Sequence, residues 1–293
     1  MHNRVSRREF RNMLAPGAAV LLPGVANALA ARVVADLGFP VAYVTGAGIA
    51  NMFLGVPDIG LVSVTELAEH VAAIRDAFPG PLVVDADTGF GNAMNLIRTV
   101  QLLERAGADA LQIEDQVFPK RCGHFSGKHV IPTAEMVTKI KAAVDTRRDG
   151  DLLIIARTDA IAPEGFEEAI TRAAAYHEAG ADVTFVEAPT SMEQIADIPR
   201  LLPWPQLLNI VIGGRTPELP NEKVKELGYA GVIYANVALQ SALLGMQAAL
   251  GELRRNGSMR DATKLVIDFS ERQRLVRKDE FDALEREYAE PHF

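Results

Sequence analysis

Pro81-Leu-Val-Val-Asp-Ala-Asp87 is a short apolar run that ends in two acids. In residues 92–106, which follow, apolar side chains recur every three or four positions, as they do along an amphipathic helix. A second apolar run, residues 110–115, again ends in two acids, Glu114 and Asp115. A strand, a crossover helix and a second strand in this order form a parallel pair. This unit therefore predicts an α/β fold built on a parallel sheet.

The same strand-then-helix pattern repeats along most of the chain and predicts a (β/α)8 barrel, the TIM-type fold. Residues 152–156, Leu-Leu-Ile-Ile-Ala, are apolar without a break, which is typical of a strand covered on both faces. An open doubly wound sheet is the alternative, but the turn Gly46-Ala47-Gly48 lacks the third glycine of a dinucleotide fingerprint. The predicted strands are residues 19–25, 41–45, 81–87, 110–115, 152–157, 183–187, 207–212 and 231–235, and the clearest predicted helices are residues 26–37, 64–78, 92–106, 133–144, 164–178 and 191–202.

A chain of 293 residues suits a single domain, with the barrel at about residues 15–253. Residues 236–253 and 260–290 have helical patterns that continue beyond the eight repeats. We therefore expect extra C-terminal helices, including an extension at about residues 254–293. A tail of this length is expected to pack on a neighbouring subunit.

Charge and cysteine content limit the partners and the compartment. The net charge of −8 argues against nucleic acid or an anionic membrane, because a polyanion gains nothing from an acidic surface. The single cysteine cannot form an internal disulfide, so the chain suits a reducing cytoplasm. Ser6-Arg-Arg-Glu-Phe10 loosely resembles a twin-arginine export signal, but cleavage after it would remove the first predicted strand.

Polar side chains follow the apolar strands at the points where those strands end. In a barrel these ends meet at one rim, where the active site lies. Carboxylates brought together there would repel one another and be forced to protonate unless a cation were bound. Asp85, Asp87 and Glu114 offer only oxygen ligands, which suits Mg2+ or Mn2+. The alternative is that the Asp-x-Asp pair caps the next helix or pairs with Arg157.

The loop Lys120-Arg-Cys-Gly-His124, after the fourth strand, is basic within an acidic chain. Its positive neighbours favour the thiolate form of Cys122 and attract a carboxylate substrate. The alternative is a small buried cysteine, which fits a strand better than this loop.

Other polar residues have two or more interpretations. Arg157 can bind a substrate carboxylate through two hydrogen bonds, or it can pair with Glu187. Tyr43 can be a general base, an oxyanion donor or part of the wall. Asp58 follows a proline, where forming a turn explains it nearly as well as function does.

These residues resemble the isocitrate lyase and phosphoenolpyruvate mutase superfamily from about Arg11 to Leu253. Lys120-Arg-Cys-Gly-His124 is the most specific motif and is characteristic of the lyase branch, which includes methylisocitrate lyase, dimethylmalate lyase and petal-death-type lyases. The other motifs that carry the resemblance are Tyr43-Val-Thr-Gly-Ala-Gly48, Asp85-Ala-Asp-Thr-Gly-Phe-Gly91, Glu114-Asp115, Arg157-Thr-Asp-Ala160 and Glu187-Ala188.

The resemblance implies a homotetramer of two dimers, a helix exchanged between subunits, and Mg2+ held at Asp85, Asp87 and Glu114 partly through water. It implies that the metal binds the 2-oxygen and adjacent carboxylate of a 2-hydroxy acid, and that Cys122 protonates the carbon released by carbon–carbon cleavage. The implied catalytic residues are Cys122, Tyr43, His124 and Lys120, and the implied substrate-binding residues are Thr45, Gly46, Ala47, Asp58, Gly123, Arg157, Glu187 and Asn209.

Two departures from the family pattern bear on the substrate. Ile212 stands where many relatives have an acid, and Phe125-Ser126 replaces the Arg-Pro typical of methylisocitrate lyases. Both indicate a departing fragment with less charge.

We expect a carbon–carbon lyase that converts a substituted malate or methylisocitrate-like 2-hydroxydicarboxylate into a 2-oxo acid and a carboxylate. The alternatives are a carboxyphosphonoenolpyruvate-type phosphonomutase, an oxaloacetate hydrolase, or a barrel that only binds a ligand.

Overall fold

Eight parallel strands close into a barrel in which each strand pairs with its neighbours in chain order. The strands are β1 (Val20–Val25), β2 (Ala42–Val44), β3 (Leu82–Asp85), β4 (Ala110–Glu114), β5 (Leu153–Thr158), β6 (Val183–Val186), β7 (Gln206–Asn209) and β8 (Gly231–Tyr234). Pairing of β1 with β8 closes the sheet. The computed structural model, which describes residues 5–121 and 127–289, confirms the predicted (β/α)8 barrel.

Helices alternate with the strands, and several begin at a capping residue that is visible in the sequence. Ser63, Asn92 and Ser191 each accept a hydrogen bond from a backbone N–H of the helical turn that follows. The helices are α1 (Arg7–Met13), α2 (Ala28–Asp36), α3 (Gly46–Ile49), α4 (Val64–Ala77), α5 (Ala93–Ala106), α6 (Thr133–Thr146), α7 (Ile161–Glu164), α8 (Phe166–Glu178), α9 (Met192–Leu201), α10 (Asn221–Leu227), α11 (Val237–Asn256), α12 (Phe269–Leu275) and α13 (Lys278–Tyr288), with a π-helical segment at Ala50–Leu54 and a 3-10 turn at Thr263–Leu265.

Three predicted elements end earlier or divide in the structure. β3 ends at Asp85 rather than at Asp87, because Asp87 has a backbone φ of 47°, which no strand contains. β7 ends at Asn209 rather than at residue 212. The helix predicted over residues 164–178 is divided at Gly165, whose φ of 96° interrupts a right-handed helix, so that Glu164 ends the short helix α7 and the rest of the predicted range is α8.

The N-terminal helix α1, which is absent from the sequence-based prediction, packs at the N-terminal end of the barrel. Phe10 and Leu14 are buried in one apolar cluster with residues at the starts of strands, such as Ala110 and Leu153. The barrel is therefore filled and covered at this end, and the opposite end remains for a ligand.

Two arginines fasten α1 to the barrel through ion pairs. Arg7 places Nη1 3.2 Å from Oε1 of Glu104 and Nε 3.4 Å from Oδ1 of Asp109. Arg11 places Nη1 2.7 Å from Oδ1 of Asp182. Arg7, one half of the twin-arginine pair, is thus part of the folded barrel.

The chain separates into two compact units, residues 1–237 and 238–293. The first contains the barrel strands. In the second, α12 contacts α13, and many apolar side chains are exposed, among them Leu244 (71%) and Phe269 (70%). A single domain over residues 1–293 and a tail that packs on a neighbouring subunit remain predictions. Within residues 5–121 and 127–289, no helix is long and apolar enough to cross a membrane.

We expect Arg7→Ala to lower the free energy of unfolding by about 2 kcal/mol, because it removes the cation paired with the buried carboxylate of Glu104 and leaves Asp109 with Arg75 alone. Arg8 is exposed, so Arg8→Ala is the matched control and should change this free energy by less than about 0.5 kcal/mol. Urea denaturation of the two variants measures the difference. Equal losses of stability would contradict the structural role of Arg7.

Candidate active site

A small cavity opens at the C-terminal ends of the strands, opposite the end that α1 covers. It brings together most of the predicted site residues, although they lie far apart in the sequence. Three of the predicted residues, Cys122, Gly123 and His124, lie outside the described residues. The cavity is lined by Tyr43, Thr45, Ala47, Asp58, Asp85, Glu114, Lys120, Arg121, Arg157, Glu187, Asn209, Val211, Ala235 and Asn236.

The carboxylates of Asp85 and Asp87 face the backbone of Gly46. A Cβ atom on Gly46 would lie 3.1 Å from Oδ1 of Asp87 and 3.4 Å from Oδ2 of Asp85. The backbone N–H of Asp87 donates to Oδ1 of Asp85 at 3.2 Å. Neither acid caps the next helix, since Asn92 caps α5. The two acids form a cradle that only a glycine at position 46 leaves open.

Burial makes the ionised form of two rim acids costly. It raises the pKa of Asp87 to about 6, although Lys120 opposes the shift. It also raises the pKa of Glu114 well above its ordinary value, although Arg157 opposes the shift. Nearby Asp85 raises the pKa of both. A cation among these acids would relieve the cost.

Asp85, Asp87 and Glu114 fit a metal ion that is held partly through water. Oε1 of Glu114 is buried and accepts no hydrogen bond from any described residue. Within the described ranges, no three His, Cys, Asp or Glu side chains are arranged to ligate a metal directly. Mg2+ commonly binds through one or two carboxylates and keeps several waters. The cradle therefore suits Mg2+ or Mn2+ better than an ion that needs a complete protein shell.

Lys120 ties the loop after β4 to the acids. Its Nζ lies 2.5 Å from Oδ1 of Asp58 and 2.8 Å from Oδ1 of Asp87. The ammonium group is almost completely buried. Asp58 therefore does more than form a turn, because it shares this lysine with one of the rim acids.

Tyr43 is linked to Asp85 through Gln112, a residue that the sequence analysis missed. The phenol donates to Oε1 of Gln112 at 2.9 Å, and Nε2 of Gln112 donates to Oδ1 of Asp85 at 3.2 Å. Burial raises the pKa of Tyr43 well above its usual range, so the phenol keeps its proton and is a donor in this chain. The sequence signal for Gln112 is a polar residue in the centre of the apolar strand β4.

Arg157 is held from several sides at the end of β5. Asp159 accepts hydrogen bonds from its Nε and Nη2 at 2.8 and 3.0 Å. Glu114 lies 3.4 Å away and Glu187 3.9 Å away, while the guanidinium lies 5.3 Å from the ring centre of Phe185. The pairing with Glu187 is the weakest of these contacts. The guanidinium lines the cavity and can bind a carboxylate there.

The wall formed after β7 and β8 contains residues that the sequence analysis did not select. Val211 and Ala235 line the cavity, and Asn236 lies beside them. Ile212, which drew attention in the sequence, is 46% exposed and is not among the lining residues. The apolar part of the lining on this side therefore comes from Val211 and Ala235, and Ile212 does not contribute to it.

Residues 10–254 match the family model of phosphoenolpyruvate phosphomutase. The chain is 41% identical to 2,3-dimethylmalate lyase of Eubacterium barkeri over 281 residues, which cover 96% of this chain and 97% of that protein. It is 45% identical to 2-methylisocitrate lyase of Aeropyrum pernix over 242 residues, covering 83% and 78%. The structure of oxaloacetate acetylhydrolase in complex with the inhibitor 3,3-difluorooxalacetate superimposes with a TM-score of 0.92 at 33% identity, covering 98% of each chain.

We expect Mg2+ to raise the unfolding temperature, Tm, more at about pH 7.5 than at about pH 5. The pKa of Asp87 is raised to about 6 in the folded chain, so its proton favours folding at low pH and this contribution is lost as the pH rises through about 6. Metal binding requires the ionised acid and so restores stability only above that pH.

Calorimetry in EDTA and in Mg2+ at both pH values measures this difference. Asp87→Asn should remove most of the Mg2+ effect at the higher pH, whereas Asp76→Asn, at an exposed position on α4, should not. An equal Mg2+ effect at both pH values would contradict the assignment of these acids to a metal.

Proposed function

The chain belongs to the phosphoenolpyruvate mutase and isocitrate lyase superfamily as a carbon–carbon lyase, and we propose that it cleaves a substituted malate to a 2-oxo acid and a carboxylate. One observation carries this proposal: Asp85 of the acid cradle, Glu114 and Arg157 line the same cavity. A 2-hydroxydicarboxylate has a hydroxy acid end for the cradle and a second carboxylate for the arginine.

Asp85, Asp87 and Glu114 would hold the metal ion, Mg2+ or Mn2+. When bound, it supplies positive charge that stabilises the 2-oxygen and the neighbouring carboxylate as the 2-oxo acid forms. Gln112 and the backbone N–H of Asp87 both donate to Oδ1 of Asp85, which keeps Oδ2 turned toward the cradle. Lys120 keeps Asp87 ionised and in place.

The cavity side chains orient the substrate for cleavage between C2 and C3. Arg157 binds the carboxylate of the departing fragment. Asn209 donates to both oxygens of Glu187, at 3.3 and 3.4 Å, and its own Oδ1 accepts no bond from the described residues, so it can receive a substrate hydroxyl. Tyr43 stays protonated and can accept a second hydrogen bond at its phenol oxygen.

Carbon–carbon cleavage requires a proton donor at C3. Loss of the 2-hydroxyl proton to a carboxylate of the cavity lets the C2–C3 bond break, and the electron pair remains on C3 beside its carboxylate. We assign the donor to Cys122, whose loop begins at Lys120 in the cavity. His124 and Gly123, in the same loop, are proposed to act with it on the basis of the resemblance.

The cavity wall formed by residues that follow β7 and β8 limits which substituents the substrate can carry. Val211 and Ala235 offer no positive charge to a third carboxylate, and burying an unpaired carboxylate against them would be costly. Alkyl substituents on the malate skeleton meet no such cost. This favours a substrate like that of 2,3-dimethylmalate lyase over a tricarboxylate.

We also propose that the enzyme is a homotetramer that acts in the cytoplasm. The support is the exposed apolar surface of residues 238–293, which includes Leu250 and Phe281. Apolar surface of this extent is typical of a contact with another chain.

We expect kcat/KM for 2,3-dimethylmalate to exceed that for 2-methylisocitrate by at least about tenfold in the presence of Mg2+, because a third carboxylate placed beside Val211 and Ala235 would lose its hydration without gaining a cation there. Coupled assays of the 2-oxo acid product measure both values. Oxaloacetate and carboxyphosphonoenolpyruvate complete the panel, the latter followed by phosphorus NMR. A preference for 2-methylisocitrate, or turnover of oxaloacetate or the phosphonate alone, would contradict the proposed substrate.

We expect Cys122→Ser to lower kcat by about 100-fold or more, because a serine hydroxyl is a much weaker acid than a thiol. The affinity for oxalate, measured by calorimetry with Mg2+, should change little, since the cradle and Arg157 are untouched. Full lyase activity in Cys122→Ser would show that another group donates the proton.

A further inference from the structure

A buried ion-pair chain runs from the cavity wall into the barrel rim. Nζ of Lys128 lies 2.7 Å from Oδ1 of Asp159, and both side chains are at most 1% exposed. The same Oδ1 accepts a hydrogen bond from Nη2 of Arg157 at 3.0 Å. Asp159 thus lies between two cations, of which only Arg157 lines the cavity.

The backbone of Asp159 is held in place by a second buried carboxylate, that of Asp115. Its backbone N–H donates to Oδ1 of Asp115 at 2.9 Å. Oδ2 of Asp115 accepts from the hydroxyl groups of Thr158 and Tyr176 at 2.7 and 2.8 Å. Although burial opposes it, Arg157 and Lys128 together hold the pKa of Asp159 below its ordinary value. Asp159 is therefore a rigid, ionised support for the guanidinium of Arg157.

Lys128 reduces the excess of negative charge around Arg157. Three carboxylates, those of Glu114, Asp159 and Glu187, lie within 3.9 Å of one guanidinium. An arginine surrounded in this way has little positive potential left for a further anion. Lys128 neutralises Asp159 from the side away from the cavity.

We propose that Asp159 and Lys128 are positioning residues for substrate binding. Asp159 holds the guanidinium of Arg157 in the cavity wall, and Lys128 provides the buried charge that leaves Arg157 able to bind a substrate carboxylate. The inference rests on the proposed function, in which Arg157 has that role.

The test compares Lys128→Met with the double variant Lys128→Met/Asp159→Asn. Lys128→Met leaves the whole charge of Asp159 on Arg157, so we expect KM for the dicarboxylate substrate to rise about tenfold and kcat to change less than about threefold. The double variant removes one charge of each sign, so its KM should lie closer to that of the unmodified enzyme. A merely structural role predicts the opposite, because the double variant has lost more buried contacts.

Arg147→Met is the control for loss of an ion-paired, partly buried cation far from the cavity. Arg147 pairs with Asp182 at 2.6 Å, at the end of the barrel where α1 packs. This variant should lower Tm and leave KM unchanged.

Binding of succinate, a four-carbon dicarboxylate that can reach both the cradle and Arg157, is measured by calorimetry with Mg2+ and separates the two hypotheses. We expect about tenfold weaker binding to Lys128→Met, with recovery in the double variant. The inference would be overturned if Lys128→Met had the KM and the succinate affinity of the unmodified enzyme, or if the double variant were worse than Lys128→Met. Failure of the unmodified enzyme to cleave any substituted malate would instead overturn the proposed function.

Discussion

The cost of burying several carboxylates together at the C-terminal rim is the constraint on which the rest of the site depends. Asp85, Asp87 and Glu114 are buried together, and burial raises the pKa of the last two. The surrounding structure offsets part of this cost with opposite charge at Lys120 and Arg157. The carboxylates of the cradle still carry excess negative charge, and a bound metal ion would neutralise it and attract an anionic substrate.

The two ends of the barrel use ion pairs differently. At the N-terminal end, Arg7, Arg11 and Arg147 pair with acids that also accept backbone N–H groups, such as Glu104 and Asp182. The pairs of Arg7 and Arg11 hold α1 over an apolar interior. At the C-terminal end, buried oxygens of acids and amides remain without a donor among the described residues. The unpaired polar atoms mark the end where a ligand completes the structure.

Most of the fold could be predicted, because a barrel strand is covered on both faces and is therefore a short apolar run. Such a run can be recognised in the sequence without knowing which residues it contacts. The strand ends were less certain, as at Asp87, where a turn begins inside the predicted strand. The acids, Lys120 and Arg157 could be predicted as site residues because each follows a strand that must end at the same rim. The roles of Gln112 and Lys128 were not predicted, because they come from the partner that each one meets on or after a neighbouring strand.

The sequence by itself determined the number of strands, their order, and the acids and arginine at their ends, since these follow from apolar period and from the parallel direction of the strands. Only the tertiary structure decided which charges share a partner. Asp159 lies between Arg157 and Lys128, and Val211 faces the cavity where Ile212 does not. The physical reason is that the energy of a buried charge, or of an apolar wall, changes when its distance to neighbouring groups changes by a few ångströms. The closing of the barrel sets these distances.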